Sequence, residues 1–252
     1  MKETFKFASG GIYCAADFSS FHSETAMRIL ISFIHLLRMK EMKFKPMRSG
    51  GMEIKVGYKI AKGVVWVLMH ILFRFRVEGK ENEVKEGGVF VCPNHLSNWD
   101  PPAVAIALKR PLTFMAKASL FKFKPFGAMI RSFGAFPFQR GGGDVGALKT
   151  TMKLIREERP VIIFPEGRRM KPGMKVKVNT GLIRLAIKTG APILPVGVDA
   201  TYRIFSKVTI RIGKPMTFEE YKGKAISEEE LHALGLGLMQ EIYRLAGKEY
   251  QE

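Results

Sequence analysis

An α/β fold, a mostly parallel sheet flanked by helices, is predicted from three features of this 252-residue sequence. From about Gly87 onward, short β-rich runs alternate with helical stretches, the order that builds parallel sheets. Hydrophobic residues make up 46% and aromatics 11%, enough to bury a real core. The most polar and reactive-looking clusters follow directly on strand candidates, where open α/β sheets place their sites.

In chain order, GVFVC (88–92) reads as a strand, PAVAIALKR (102–110) as a helix and LTFMA (112–116) as a second strand. A helical stretch near 119–132 and a strand at GAFPF (134–138) follow. Asp144 is placed to cap a helix over 146–158. PVIIFP (160–165) is the clearest strand, a β-branched run opened by Pro and closed by Pro-Glu-Gly. A helix from Asn179 to Lys188 is stopped by Gly190, and strands at 191–198 and 207–212 come next. Ser227 with three glutamates opens a C-terminal helix, its acidic first turn matched to the helix dipole.

Lys and Arg number 41 against 23 Asp and Glu, a formal charge of +18. A fold does not need that excess, which points to an anionic partner. Twelve basic and three acidic residues lie between Met27 and Lys80, together with the two most apolar runs, 26–37 and 63–73. Each run is shorter than the roughly 20 residues that cross a bilayer. Apolar helices flanked by Lys59, Lys62, Arg74 and Arg76 suit a layer of anionic headgroups. The alternative is a pair of amphipathic helices packed on the domain with their bases solvated. The organisation expected is an unplaced segment 1–25, a basic apolar helical membrane-associating segment 26–78, and an α/β domain 79–252.

Two cysteines, Cys14 and Cys92, cannot make a disulfide framework, and the N-terminus lacks a continuous apolar stretch behind its charges. The expected location is therefore the cytoplasmic face of the cell membrane, peripheral or monotopic. Nucleic acid is not expected as a partner: zinc-finger spacing, an RNP-like string and a basic-plus-heptad pattern are all missing. No His, Cys or carboxylate set has metal-ligand spacing.

Three constellations carry chemistry. In Asn94-His95-Leu96-Ser97-Asn98-Trp99-Asp100, an imidazole beside a carboxylate is what general-base catalysis requires. The competing reading makes Asp100, followed by two prolines, a plain helix cap. In Phe164-Pro165-Glu166-Gly167-Arg168-Arg169, a turn presents a carboxylate beside two guanidiniums that match phosphate oxygens. An exposed Glu–Arg pair is the alternative. Arg140, before Gly141-Gly142-Gly143, and Lys117, after a strand, are each either anion ligands or surface charges. Cys92, three residues before His95, raises a further alternative, an acyl-enzyme route.

The strings NHLSNWD, GAFPFQR, FPEGRR and APILPV (191–196), in this order, resemble the four blocks of the glycerolipid acyltransferases. Among these the 1-acylglycerol-3-phosphate acyltransferases are the nearest likeness. AKASLFKFKPFG (116–127) is similar to a further region of that family, and the likeness spans about residues 80–215. It implies His95 as general base and Asp100 as its orienting partner. It also implies Arg140, Lys117 and Arg168 as ligands of the acceptor phosphate, with Glu166 and Gly167 shaping the acceptor site. The substrates implied are lysophosphatidic acid and an acyl thioester, acyl-CoA or acyl-ACP, with no cofactor. The chain departs from the family in having Arg168-Arg169-Met170 where Thr-Arg-Ser is usual, which leaves Arg169 as an alternative to Arg168 at the phosphate, and in having Gln139 before Arg140.

Overall fold

The structure, a computed structural model, describes residues 56–122, 127, 130–131, 134–138, 145–171 and 174–252. The apolar run 26–37, Cys14, Gln139, Arg140, the three glycines after it and Asp144 lie outside them.

Seven strands form one sheet: β1 (Arg74–Glu78), β2 (Val89–Pro93), β3 (Thr113–Lys117), β4 (Ala135–Phe138), β5 (Pro160–Ile162), β6 (Ile193–Ala200) and β7 (Lys207–Ile212). Their order across the sheet is β1-β7-β6-β2-β5-β3-β4. Five of them, β6-β2-β5-β3-β4, run parallel. β7 pairs antiparallel with β6, and β1 parallel with β7. The mostly parallel sheet expected from the alternating pattern is thus observed, with one antiparallel join.

Side chains alternate between two cores, one per face, as the two-residue period of a strand requires. Val89, Val91, Ile162, Phe164, Leu194 and Val196 pack on one side with α1 (Val56–Leu72) and α2 (Asp100–Ala107). Phe90, Cys92, Val161, Ile163 and Ile193 pack on the other with α3 (Val145–Arg156), α4 (Thr180–Thr189) and α5 (Glu228–Leu245). Phe90, Phe164, Ile162 and Leu194 are almost fully buried. Each such side chain contributes about 1.5–3 kcal/mol by leaving water.

The helices start and stop for local reasons. Asn179 accepts from the Gly181 N–H to open α4, and Ser227 accepts from the Glu230 N–H to open α5. The Lys62 ammonium on α1 donates to the Leu108 and Lys109 carbonyls just past α2, placing a cation at a helix C-terminus. Gly197 in β6 permits a close approach. A Cβ there would sit 2.2 Å from the carbonyl carbon of Leu245 and 2.4 Å from the Ala246 nitrogen, so α5 packs directly on the strand backbone.

Four expectations are refined. Residues 74–78 fall in the segment assigned to membrane contact, yet they form β1, so the sheet begins ahead of Gly79. Their alternating charged and apolar residues suit a short edge strand whose exposed face is Arg74, Arg76 and Glu78. α2 opens at Asp100 rather than at 102, because prolines fit the first turn, where an N–H is dispensable. β5 is shorter than 160–165: Ile163 still donates to the Val91 carbonyl, but Phe164 then turns to accept from the Gly167 N–H. Of the helix expected near 119–132, a 3₁₀ turn over Ala118–Phe121 is described, with Gly127, Ile130 and Arg131 helical beyond it.

Candidate active site

The parallel strands end along one edge of the sheet, and the candidate residues follow that edge in strand order. Tyr202 lies just past β6, His95 past β2, the Glu166 turn past β5 and Lys117 at the end of β3. Phe138, the Cα partner of Lys117, ends β4.

His95 leaves the sheet on a fixed path. The Asn94 side chain donates to the Val198 carbonyl at 3.0 Å and accepts from the Val198 N–H at 2.6 Å. It thereby carries the β2–β6 ladder one residue beyond the strand. The His95 N–H donates to Glu166 Oε2 at 2.7 Å, and its carbonyl accepts from the Met170 N–H at 2.8 Å. The ring stacks on Phe164 with centroids 4.0 Å apart.

Asp100 is buried and takes four donors. Oδ2 accepts from the Leu96 N–H (2.6 Å), the Ser97 N–H (2.7 Å) and His95 Nδ1 (2.9 Å). Oδ1 accepts from the Tyr202 hydroxyl at 2.7 Å. A carboxylate with every contact a donor fixes the tautomer: Nδ1 carries the proton and Nε2 keeps its lone pair. His95 is 1% exposed, and its Nε2 has no hydrogen-bond partner among the described residues. These bonds show which way the Asp100 carboxylate faces. The N-cap position of α2 is Trp99, and the Asp100 carboxylate faces back to the loop and His95 instead of capping the helix.

Glu166 supports the other flank. Gly167 takes φ 68°, a left-handed value that favours glycine, and so closes the turn that brings Glu166 back beneath His95. Its Oε1 accepts from the Tyr243 hydroxyl of α5 at 2.7 Å. Burial pushes the Glu166 carboxyl up to about 8, against the pull of the Tyr243 and His95 donors, with the Asp100 charge adding to the rise. Burial and the adjacent carboxylates also hold the Tyr202 and Tyr243 phenols above their usual range, so both stay donors.

The cations expected to bind phosphate differ from this cluster. Lys117 is half-buried and Arg168 exposed, and neither side chain makes a hydrogen bond or ion pair among the described residues. Arg140 lies outside the described residues. Cys92 is fully buried on the face opposite Val91, its thiol turned to the Phe90 carbonyl and pushed up by burial, a setting for an inert thiol. Among the described residues no group of three His, Cys, Asp or Glu side chains could hold a metal ion.

Two site residues escaped the sequence reading. Tyr202 and Tyr243 lie 102 and 77 positions from the carboxylates they serve, within no short motif. Only the fold brings them in.

Residues 74–199 match the model of the family described as Acyltransferase. The chain belongs to the acyltransferase family. It is 28% identical over 198 residues to a 1-acyl-sn-glycerol-3-phosphate acyltransferase of Bacillus subtilis, covering 76% of this chain and 98% of that one. A protein of the same description from Borreliella burgdorferi is 32% identical over 133 residues, 52% of this chain and 53% of its own length. The crystal structure of the 1-acyl-sn-glycerophosphate (LPA) acyltransferase PlsC from Thermotoga maritima superposes with a TM-score of 0.60 at 25% identity. The match covers 88% of this chain and 91% of that one. The acyltransferase family and the α/β fold expected from the sequence are therefore shown.

Proposed function

We propose that this acyltransferase moves a fatty acyl group from an acyl thioester to the free hydroxyl of 1-acylglycerol-3-phosphate, giving phosphatidic acid in phospholipid synthesis. The observation that carries the reading is the buried His95–Asp100 pair, with Nε2 unpartnered among the described residues at the mouth of the parallel strands. Nε2 takes the proton of the acceptor hydroxyl while Asp100 stabilises the imidazolium that forms. The oxygen attacks the thioester carbonyl, a tetrahedral oxyanion forms, and the C–S bond breaks as the imidazolium returns its proton to the leaving thiolate. Lys117, Arg168 and Arg140 hold the acceptor phosphate, with charge-assisted bonds of about 1.5–3 kcal/mol each. Glu166 and Gly167 shape the acceptor side.

The acceptor is supported by the names of the relatives in Bacillus, Borreliella and Thermotoga. The donor is acyl-CoA or acyl-ACP; a charge of +18 suits the CoA phosphates and an acidic carrier protein equally. No cofactor enters the scheme. The enzyme works at the cytoplasmic face of the membrane, where lysolipid resides. Among the described residues no helix is long and apolar enough to cross a bilayer.

The test is thiol release from a long-chain acyl thioester, with and without lysophosphatidic acid, for wild type and His95→Ala in detergent micelles. Acceptor-dependent release that falls by roughly 10²–10⁴ in the variant is expected. Release without acceptor would point to hydrolysis or an acyl-enzyme, and a fully active variant would remove His95 from the chemistry.

A further inference from the structure

Five of the six large hydrophobic side chains exposed among the described residues gather in two places: Trp66, Val67 and Ile71 on α1, and Ile204 and Phe205 between β6 and β7. These places adjoin. The Phe205 N–H donates to the Leu72 carbonyl at 2.7 Å, the Arg74 N–H donates to the Ser206 carbonyl at 2.9 Å, and Tyr202 packs edge-on against Phe73.

The β6–β7 turn pairs a left-handed backbone with exposed apolar side chains, and the folded chain alone does not justify the second. Phe205 sits at φ 62° and Tyr202 at φ 53°, left-handed conformations that cost a bulky residue roughly 1–2 kcal/mol and that glycine adopts freely. Tyr202 gains a bond to Asp100 in return. The Phe205 N–H gains its bond to the Leu72 carbonyl, but its side chain gains almost nothing, since it is 70% exposed, with Ile204 at 65% beside it. A strained backbone that holds two apolar side chains out in water has its benefit outside the chain. The surroundings indicate the chemistry of what lies there. Arg203 and Lys207 flank the tip, Arg74 and Arg76 are exposed on the neighbouring strand, and no Asp or Glu occurs from Ala200 to Lys207.

We propose that the β6–β7 turn is a docking finger for an anionic bilayer, with Ile204 and Phe205 entering the acyl boundary and Arg203 and Lys207 at phosphate level. The inference rests on the membrane location given above and adds a point of contact inside the α/β domain, far in sequence from residues 26–78. Its consequence for the reaction is positional. Tyr202, three residues before Phe205, holds the carboxylate that orients His95, so a docked tip sets the general base at a fixed height over the lipid surface.

The probe is a vesicle of phosphatidylcholine with phosphatidylglycerol, used with the full chain. Flotation measures binding, and Phe205→Trp reports depth through quenching by brominated lipid, read as the difference from wild type with its Trp66 and Trp99. Binding with a blue-shifted, quenched signal at 205 is expected. Ile204→Ser with Phe205→Ser should weaken partitioning roughly ten- to a hundredfold. Arg203→Gln with Lys207→Gln should weaken binding to anionic vesicles by about tenfold and to neutral ones little. Bound protein with a water-like, unquenched signal at 205 overturns the finger and leaves the membrane reading standing. A signal already apolar without vesicles shows the tip covered by another part of the chain and also overturns it. Wild type that does not float refutes the membrane location itself.

Discussion

Along the edge where the parallel strands end, the two halves are built on different terms. Past β2, β5 and β6, Asp100 has four donors, Glu166 two, and the His95 ring a stacking partner and a fixed tautomer. Past β3 and in the turn after β5, Lys117 and Arg168 stand without partners among the described residues. Proton transfer gains from a base locked before the substrate arrives, since no reorganisation is then needed in the transition state. Phosphate recognition gains from cations left unneutralised, since a guanidinium already paired must break one ion pair to make another. On the proposed mechanism, rigidity and vacancy thus serve different jobs within one row of loops.

Asp100→Asn tests the locked half most severely. An amide cannot serve four donors, and it turns an N–H toward a group that needs an acceptor. The rate should fall by roughly 10²–10⁴ with acceptor KM little changed, measured by steady-state thiol release. A variant at near wild-type rate would break the contrast. Arg168→Ala and Lys117→Ala address the open half: each should raise KM for the acceptor by roughly tenfold with kcat nearly constant. Loss of kcat instead would move these cations into the locked half. Arg169→Ala, measured alongside, should change KM less than Arg168→Ala.

Glu166→Gln is a stability test. The folded carboxyl titrates near 8 and an unfolded one near 4.5, so its contribution to stability is full below about pH 4.5 and is lost as pH rises through about 8. Urea unfolding between pH 4.5 and 9 should show wild type losing stability relative to the glutamine variant across that window. The difference should be a few kcal/mol at most, since a tenfold change in proton affinity corresponds to about 1.4 kcal/mol. Parallel curves would mean that Tyr243 and the His95 N–H keep Glu166 ionised. Cys92→Ala should do least: full activity, with a stability loss of about 1 kcal/mol from the small cavity. Loss of acyl transfer would revive the acyl-enzyme route.

Much of the locked half could be read directly from the sequence because its parts are short-range. Asp100 follows His95 by five residues, and the carboxylate at 166 precedes the glycine that its own turn needs. The parallel strands, buried on both faces, read as apolar runs for the same reason. What stayed hidden depends on distant pairing. Tyr202 and Tyr243 reach the site only once β6 lies beside β2 and α5 packs on β6. The direction of β7 depends on a turn whose residues follow no standard hairpin pattern. β1, with charges on alternate residues, resembled the basic flank of an apolar helix because edge strands and such flanks draw on the same residues. Residues 26–55, the first part of the segment assigned to membrane contact, lie outside the described residues.

Gly197 has a consequence for how this protein responds to mutation. It touches no reactant, and among a set of variants it would pass for a neutral strand position. Any side chain there must displace the last turn of α5, and that turn adjoins Tyr243, the hydroxyl that supports Glu166. A screen scored by activity alone would therefore count position 197 among the catalytic residues, although its influence is purely a matter of where a helix can lie. The tolerance of the site to sequence change is set in part on the far side of the sheet.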